Sequence, residues 1–326
     1  MLESATSLLL SLVSRMKRAG VIINEHTLTA GQTRRHVEVL GRWFDFIRLD
    51  ELPQRMAKPG RRPFCLLTFD DGKRSNFTQV APELEHLGVP AVFYVTTEFL
   101  STGTALWFDR HTALVRALGF CPPGLERETL KQLPLDDLRE RLDGAFARWG
   151  LQPAVALDDE VQPMTWDEAR DLSRRGFTIG AHGLTHSILT REAKARAFAE
   201  IEGSLAKVGS ELGTRCRTFA FPNGNYNDEL TRHASRCGAT TVMTTEPMWA
   251  DAHASCSCLP RVQLHGGFSR SRLELKLALA AVPGLLANPD GSGRAYRSNA
   301  RRNGKLRRDE LVSGAELPVK TPAGSR

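Results

Sequence analysis

The stretch Leu66-Leu67-Thr68-Phe69-Asp70-Asp71-Gly72 ends an apolar, strand-like run in two adjacent carboxylates and a glycine. Side chains of neighbouring residues at a strand end point to different sides. One carboxylate can therefore bind a metal while its neighbour stays free to act as a base. A simple turn is the alternative interpretation, because Asp often accepts backbone hydrogen bonds in turns and Gly supplies a positive φ.

A second polar cluster follows another strand-like run later in the chain. The apolar residues 177–181 lead into His182-Gly183-Leu184-Thr185-His186, which places two imidazoles four residues apart. Taken alone, such a pair is often a solvated or core pair. One Asp and two His together make a three-ligand metal site. Three protein ligands leave positions open for water and substrate, which is typical of a catalytic rather than a structural metal.

Length and composition are consistent with one enzyme domain. The chain has 326 residues, of which 41% are hydrophobic and 25% charged, as in ordinary soluble globular proteins. Its six cysteines show neither zinc-type spacing nor a dense disulfide framework, so reduced thiols are expected. The pair Cys256-Ser257-Cys258 is better explained as part of a loop than as a redox or metal pair.

The amino-terminal residues 1–19 are expected to form a surface helix. The apolar run of residues 7–13 is followed, not preceded, by basic residues, which is the reverse of a secretory signal. No segment approaches the ~20 apolar residues that span a bilayer. We therefore expect a cytoplasmic or peripheral membrane protein, in which docking of this helix on a membrane surface is the alternative to packing on the domain.

Much of the net charge of +7 is concentrated at the carboxyl end. Residues 290–326 contain nine Lys or Arg and four Asp or Glu, and nine minus four is five of the seven charges. With few apolar residues, residues 289–326 are predicted to be a disordered basic tail. The nearly neutral remainder gives no indication of a specific nucleic-acid partner. The sequence leaves the oligomeric state open.

Strand-like and helix-like segments alternate through residues 20–288, which predicts a parallel α/β domain. Residues 101–160 interrupt this alternation and are predicted to be an insertion between strand units. The insertion is either a wall of a groove or a surface segment without a role in the site. The predicted elements are strand Val21–Ile23, helix Thr29–Leu40, strand Phe44–Arg48, strand Cys65–Phe69, helix Phe77–Leu87, strand Val89–Val95, a helix capped at Thr165 that stops at Gly176, and an amphipathic helix within Leu189–Leu212.

The two clusters resemble the signatures of the polysaccharide deacetylases of the NodB-homology type, carbohydrate esterase family four. Those signatures are T-F-D-D-G and H-[ST]-x-x-H, and the second is met here except at Gly183. The stretch Phe219-Ala220-Phe221-Pro222-Asn223-Gly224 is similar to the family's substrate-groove motif F-A-[YF]-P-[YN]-G. Three motifs in the family's order, with flanking similarity over roughly residues 20–265, identify the chain as a member.

The resemblance implies a distorted (β/α) barrel of about seven strands, with its site at the carboxyl ends of the strands. It also implies that a divalent metal, zinc above all, is bound by Asp71, His182 and His186. Asp70 would be the base that takes a proton from the attacking water. The substrate-binding residues carried over from the groove motif are Phe221, Pro222, Asn223 and Gly224.

Two histidines are candidates for the acid that protonates the leaving amine. In the usual order of family motifs a Leu-x-His strand near the carboxyl end carries it, and Leu264-His265 could fill this position. In a permuted branch, which includes poly-N-acetylglucosamine deacetylases, a strand before T-F-D-D-G brings the histidine. Residues 20–26 are similar to that strand and end in His26, which we favour, although Asn24-Glu25 stands where that branch usually has Tyr.

The resemblance also suggests an arginine that orients the base. Ala220 occupies the position where the usual motif has this arginine, but the branch with F-A-[YF]-P carries L-P-R-[IV] instead. That motif is present as Leu259-Pro260-Arg261-Val262, so Arg261 is the candidate partner of Asp70. An exposed arginine after a proline is the alternative interpretation.

The activity implied by the resemblance is metal-dependent removal of N-acetyl groups from an acetylated amino sugar or polysaccharide. Removal of O-acetyl groups from xylan-type sugars would use the same apparatus. A catalytically silent carbohydrate-binding relative is a third alternative, which the intact set Asp70, Asp71, His182 and His186 disfavours. The expected partner in each case is an acetylated carbohydrate, with membrane contact at most peripheral.

Overall fold

The structure, a computed structural model, describes residues 2–17, 19–152 and 161–286. The predicted tail of residues 289–326 lies outside these ranges, as do residues 153–160 at the end of the predicted insertion. The strands are β1 (Ala19–Glu25), β2 (Asp45–Phe46), β3 (Phe64–Phe69), β4 (Ala91–Val95), β5 (Thr178–Ala181), β6 (Thr218–Ala220), β7 (Thr241–Met243), β8 (Ala250–Asp251) and β9 (Val262–Gln263). The helices are α1 (Leu2–Met16), α2 (Ala30–Gly41), α3 (Leu52–Ala57), α4 (Ala81–His86), α5 (Thr97–Thr102), α6 (Trp107–Leu118), α7 (Arg127–Leu130), α8 (Leu135–Arg148), α9 (Trp166–Arg174), α10 (Lys194–Leu212), α11 (Asp228–Arg236) and α12 (Arg270–Ala280).

The strands form one curled, mainly parallel sheet in the order β7-β6-β5-β4-β3-β1. β9 continues it in parallel on β1, β2 pairs with the start of β3, and β8 runs antiparallel to the start of β1. The segment before β9 also pairs with β7 through Met243 and Leu259, so it connects the two edges of the curl. The predicted distorted α/β barrel is confirmed.

The strands are buried on both faces, as their uninterrupted apolar runs require. Every residue of β1, β3 and β4 is buried. One apolar cluster includes Ile22, Leu66, Val92 and Met243 from four different strands. This packing fixes the strand ends relative to each other.

Two elements differ from the sequence prediction. The strand expected over residues 44–48 is only the two-residue β2. The helix expected over residues 77–87 begins with a π-helical turn, Asn76–Val80, before α4. Pro82 explains the irregular start, because proline cannot donate the backbone hydrogen bond that an α-helix needs.

The region predicted as an insertion contains the end of α5 and all of α6, α7 and α8. Side chains of α6, α7 and α8 share their own apolar cluster, which includes Trp107, Leu130, Leu138 and Phe146. At the other end of the chain, α1 packs along α12. Within the described residues, no helix combines the length and apolar character needed to cross a membrane.

Candidate active site

The carboxyl ends of the parallel strands open into a cavity of about 510 Å³. Asp70 and Asp71 follow β3, His182 follows β5, and His26 follows β1. All four side chains line the cavity, together with His186 from the loop after β5. The barrel therefore brings together residues that are far apart in the sequence.

Asp71, His182 and His186 converge as a candidate metal-binding trio. Asp71 Oδ1 lies 3.3 Å from His186 Nε2 and 3.7 Å from His182 Nε2. One potential ligand atom from each residue lies within 4.8 Å of the others, and all three side chains are buried. The spacing suits three ligands of one ion.

Hydrogen bonding and burial put His182 in the form that binds metals. Its Nδ1 lies 2.9 Å from the carbonyl oxygen of Ala220, which can only accept, so Nδ1 carries the proton. Nε2 is then left with its lone pair directed toward Asp71. Burial also lowers the pKa of His182 to about 4, which keeps the imidazole neutral.

Asp71 is held as a carboxylate in a buried site. Burial opposes its ionisation, but His186 and His26 outweigh burial and hold the pKa of Asp71 well below its usual range. The two oxygens of Asp71 and the Nδ1 of His186 are buried, and none of these three atoms has a hydrogen-bond partner. Buried polar atoms are rarely left unsatisfied. A divalent cation bound by the trio would satisfy the two Asp71 oxygens, and the donor set fits zinc.

Backbone strain is concentrated at the same place. Among the described residues, the non-glycine residues with positive φ are Asp71 (77°), His186 (60°) and Asn223 (55°). Such conformations cost of the order of 1–3 kcal/mol each and persist where the surroundings impose them, often at functional sites. Two of these three are candidate ligands, and the third lies in the groove motif.

Asp70 forms a two-pronged ion pair and lies beside the trio, with its Oδ2 3.9 Å from His182 Nε2. Arg261 donates through Nη1 to Oδ1 and through Nη2 to Oδ2, both at 2.7 Å. The same arginine donates to Thr68 Oγ1 and to the carbonyl oxygen of Thr244, and it has no exposed surface. Burial raises the pKa of Asp70, but the charge and hydrogen bonds of Arg261, together with His182 and His26, hold the pKa below its usual range. Asp70 is therefore an oriented carboxylate.

The groove motif forms one side of the cavity. Phe221, Asn223 and Gly224 line it, whereas Pro222 is buried beside the histidine loop. A Cβ atom on Gly224 would fall 1.9 Å from Thr245 Oγ1, and its φ is 75°, so only glycine fits.

Both candidate acids line the cavity, because they follow adjacent strands β1 and β9. A charge on His26 acts on both Asp70 and Asp71 and lowers the pKa of each. His265 lies against Phe268, and burial and Lys276 lower its pKa. A lowered pKa leaves less protonated His265 near neutral pH, which makes His265 a weaker candidate for the proton donor.

Residues 57–242 match the family model described as polysaccharide deacetylase. This range contains both β3 carboxylates and both candidate histidine ligands. The chain belongs to the polysaccharide deacetylase family. His26 and Arg261 lie outside the matched range, so their part in the site depends on the geometry.

Two curated relatives match a shorter stretch of this deacetylase-family chain. YxkH of Bacillus subtilis, whose naming as a polysaccharide deacetylase is itself provisional, is 24% identical over 108 residues, or 33% of this chain and 39% of its own length. An uncharacterized Streptomyces coelicolor protein is 31% identical over 115 residues, or 34% of this chain and 46% of its own length. The match thus spans less than half of each relative.

Several solved structures share the fold. The Streptococcus pyogenes deacetylase PplD, solved with acetate, superposes with a TM-score of 0.57 at 15% identity, over 79% of this chain and 98% of that one. IcaB from Ammonifex degensii superposes with a TM-score of 0.52 at 14% sequence identity, over 79% of this chain and 95% of that one. The deacetylase domain of BpsB from Bordetella bronchiseptica superposes with a TM-score of 0.52 at 17% sequence identity, over 76% of this chain and 96% of that one.

Glu200 of α10 supports the histidine loop and was missed by the sequence analysis. Its carboxylate accepts hydrogen bonds from the backbone N–H groups of Leu184 and Thr185 and from the Thr185 hydroxyl, at 2.6–3.0 Å. Gly183 in this loop has a φ of 76°, which explains glycine where the family signature has Ser or Thr. The sequence gives one weak indication of this role, a single acidic residue among the apolar positions of α10.

A buried ion pair joins the insertion to the β3 loop and was also missed. Lys73 donates to both oxygens of Asp109, at 2.7 and 2.9 Å, and both side chains are less than 10% exposed. The neighbouring Phe108 ring lies edge-on to His186, with centroids 5.0 Å apart. Trp107, Phe108 and Asp109 all line the cavity, so the start of α6 is a wall of the site.

Proposed function

We propose that the chain hydrolyses N-acetyl groups of an acetylated amino sugar or polysaccharide with the help of a divalent metal. One observation carries the proposal: an oriented, ionised Asp70 faces the same cavity as the Asp71, His182 and His186 trio. A binding module needs neither a base held by a buried arginine nor a three-ligand metal site. Membership of the polysaccharide deacetylase family supports the same reaction class.

Asp71, His182 and His186 are proposed as the ligands of the metal, with zinc favoured by one carboxylate and two imidazoles. Bound there, the metal would act as a Lewis acid on the acetyl group and favour negative charge on its oxygen. Ala220 and Glu200 would keep two of these ligands in place, through the His182 Nδ1–H and the loop before His186.

Asp70 is proposed as the general base that accepts a proton from the attacking water. Its carboxylate is ionised because Arg261 offsets the cost of burial. Arg261 occupies both oxygens from one side and leaves the remaining lone pairs to receive a proton.

His26 is proposed as the general acid. An amide expels an unprotonated nitrogen very poorly, so the leaving amine needs a proton from a group that faces the cavity. His26 is one of the residues that line it, and it follows β1 beside the point where Asp70 follows the paired strand β3.

The test is acetate release from a panel of N-acetylated and O-acetylated oligosaccharides, with and without a chelator. We expect acetate from N-acetyl substrates, loss of release with chelator, and recovery on addition of zinc. Release from O-acetylated sugars alone would instead support the esterase alternative. Saccharide binding without any acetate release from the metal-loaded protein would support the silent carbohydrate-binding alternative.

A further inference from the structure

Large apolar side chains that face solvent are concentrated in one region of the molecule. Among the described residues, seven of the eight exposed ones lie on α1, on α12 or just after α12, and Phe120 is the eighth. We call these seven the α1–α12 patch: Leu8, Leu9, Leu12, Met16, Leu275, Val282 and Leu285. Soluble proteins expose single apolar residues routinely, but a contiguous group of them marks an interaction site.

The exposed residues of α1 form a stripe along the helix. Leu8, Leu12 and Met16 recur at four-residue intervals, with Leu9 beside them, and are 62%, 51%, 82% and 40% exposed in that order. Residues four apart lie on one face of a helix. Leu10, which points to the opposite side, is completely buried. The helix therefore has one apolar face on the protein and a second one in solvent.

Polar contacts hold this stripe outward. Glu274 of α12 is fully buried and accepts hydrogen bonds from the hydroxyls of Thr6 and Ser7 at 3.0 and 2.7 Å. Arg270 donates to the same carboxylate at 3.0 Å. Because these contacts fix the rotation of α1 on α12, its leucine stripe cannot turn inward without breaking them.

The charged side chains at the carboxyl end of the α1 stripe have one sign. Arg15 and Lys17 are exposed beside Met16, and residues 5–17 contain no Asp or Glu. A helix with apolar residues on one side and cations at its border is typical of attachment to anionic lipid. Two copies meeting through this patch would bring like charges together. Charge complementarity thus favours a lipid surface over a second copy of the chain.

We propose that the α1–α12 patch attaches the protein to an anionic membrane surface, with the α1 stripe inserted at the boundary of headgroups and acyl chains. α12 begins five residues after His265 of the cavity, within one compact unit. Attachment would accordingly hold the cavity near the lipid surface. Binding to lipid does not depend on the proposed deacetylase activity and can be measured without it.

The experiment is flotation of the full chain with vesicles of phosphatidylcholine containing about one third phosphatidylglycerol, beside pure phosphatidylcholine vesicles. We expect the wild type to float with the anionic vesicles, less so at high salt. Leu8→Ser combined with Leu12→Ser should weaken this binding about tenfold or more. Arg15→Glu combined with Lys17→Glu should weaken it as well. Phe120→Ser is the matched control, an equally exposed apolar residue outside the patch, and should bind like the wild type.

Folding is monitored by helical circular dichroism and thermal melting, which these exposed substitutions should leave unchanged. A wild-type protein that does not float, or a Leu8/Leu12 variant that floats equally well, would overturn the proposal. A wild-type dimer in solution that becomes a monomer in the Leu8/Leu12 variant would overturn it too, because the patch would then be a protein interface.

Discussion

Arg261 binds both carboxylate oxygens of Asp70 through parallel hydrogen bonds of 2.7 Å, inside the barrel and without exposed surface. The contact joins the end of β3 to the segment that connects the two edges of the sheet. It therefore ties the reactivity of Asp70 to the closure of the fold. Buried charge pairs of this kind are costly to break from one side only.

Replacement of Arg261 by Met should leave Asp70 buried and unpaired. The free energy of unfolding at neutral pH should fall by roughly 3–5 kcal/mol, and the acidic limb of kcat/KM should move to higher pH because the pKa of Asp70 rises. In the wild type, folding lowers the pKa of Asp70 below its unfolded value of about 3.9. The stabilisation that this carboxylate contributes is therefore present above the unfolded pKa and is lost as pH falls through the pKa of the folded state. Urea unfolding across pH and the pH profile of kcat/KM measure the two effects.

Arg48→Met is the control for this experiment. Its partner Asp50 is 72% exposed, so the free energy of unfolding should change by less than about 1 kcal/mol. Equal effects of the two substitutions would contradict the role given to Arg261.

Asp70→Asn should separate base catalysis from metal binding. The amide keeps the shape of the carboxylate but cannot accept a proton, so turnover should fall about 10²–10⁴-fold while the folded protein still binds metal. The free energy of unfolding should fall as well, because Arg261 loses its charged partner. Acetate release and metal analysis by mass spectrometry check this. An unchanged rate removes Asp70 from the mechanism, and lost metal would make Asp70 a ligand.

His182→Ala and His186→Ala should each abolish bound metal and acetate release, since every ligand of a three-ligand site contributes a large share of the affinity. Asp71→Asn should behave alike. His86→Ala is the control, because His86 is exposed on α4 and does not line the cavity. Full metal content and activity in a His182 or His186 variant would rule out the assigned site.

The fold and the metal trio were predictable because their signals are local. An uninterrupted apolar run followed by Asp70-Asp71-Gly72 marks a buried strand and what lies at its end. The apolar run that leads into His182 likewise marks a buried strand, β5, with the histidine pair after its end. Parallel strands bring their carboxyl ends to one edge of the sheet. The amino-acid sequence alone is therefore enough to predict that the two motifs lie side by side.

Long-range pairs between chain segments of unrelated pattern were not predictable. Asp109 lies within an irregular insertion, and nothing in its neighbourhood indicates that it meets Lys73. Glu200 interrupts the apolar face of α10 by one residue only, which a periodicity count tolerates. The π-helical turn at Asn76–Val80 was missed for a similar reason, since it keeps the apolar spacing of an ordinary helix.

The Lys73–Asp109 pair should fix the wall of the cavity. Lys73→Met or Asp109→Leu alone leaves a buried charge without its partner and should lower the free energy of unfolding by roughly 3–5 kcal/mol, whereas the double variant should lose less than the sum. Because Phe108 contacts His186 beside this pair, KM for an oligosaccharide should rise in the double variant. Denaturant unfolding and steady-state kinetics test both points.

The exposed pair of Arg174 and Asp171 serves as the control for that cycle and should show a coupling energy below about 1 kcal/mol. Additive effects at Lys73 and Asp109, with an unchanged KM, would mean that the insertion is held in place by its apolar cluster alone.

The identity of the acid is decided by comparing His26→Ala with His265→Ala. The acid works only when protonated, so wild-type activity on an N-acetyl substrate should fall as pH rises through the range in which an imidazole loses its proton. In His26→Ala this basic limb should disappear together with most of the turnover, while His265→Ala stays close to the wild type. O-acetyl substrates provide an internal control, because an alkoxide leaves more easily than an amide nitrogen and should depend less on His26. An inactive His265 variant beside an active His26 variant would place the acid after β9 and remove His26 from the mechanism. Since β1 and β9 are hydrogen-bonded neighbours, either outcome keeps the proton donor on the same side of the cavity.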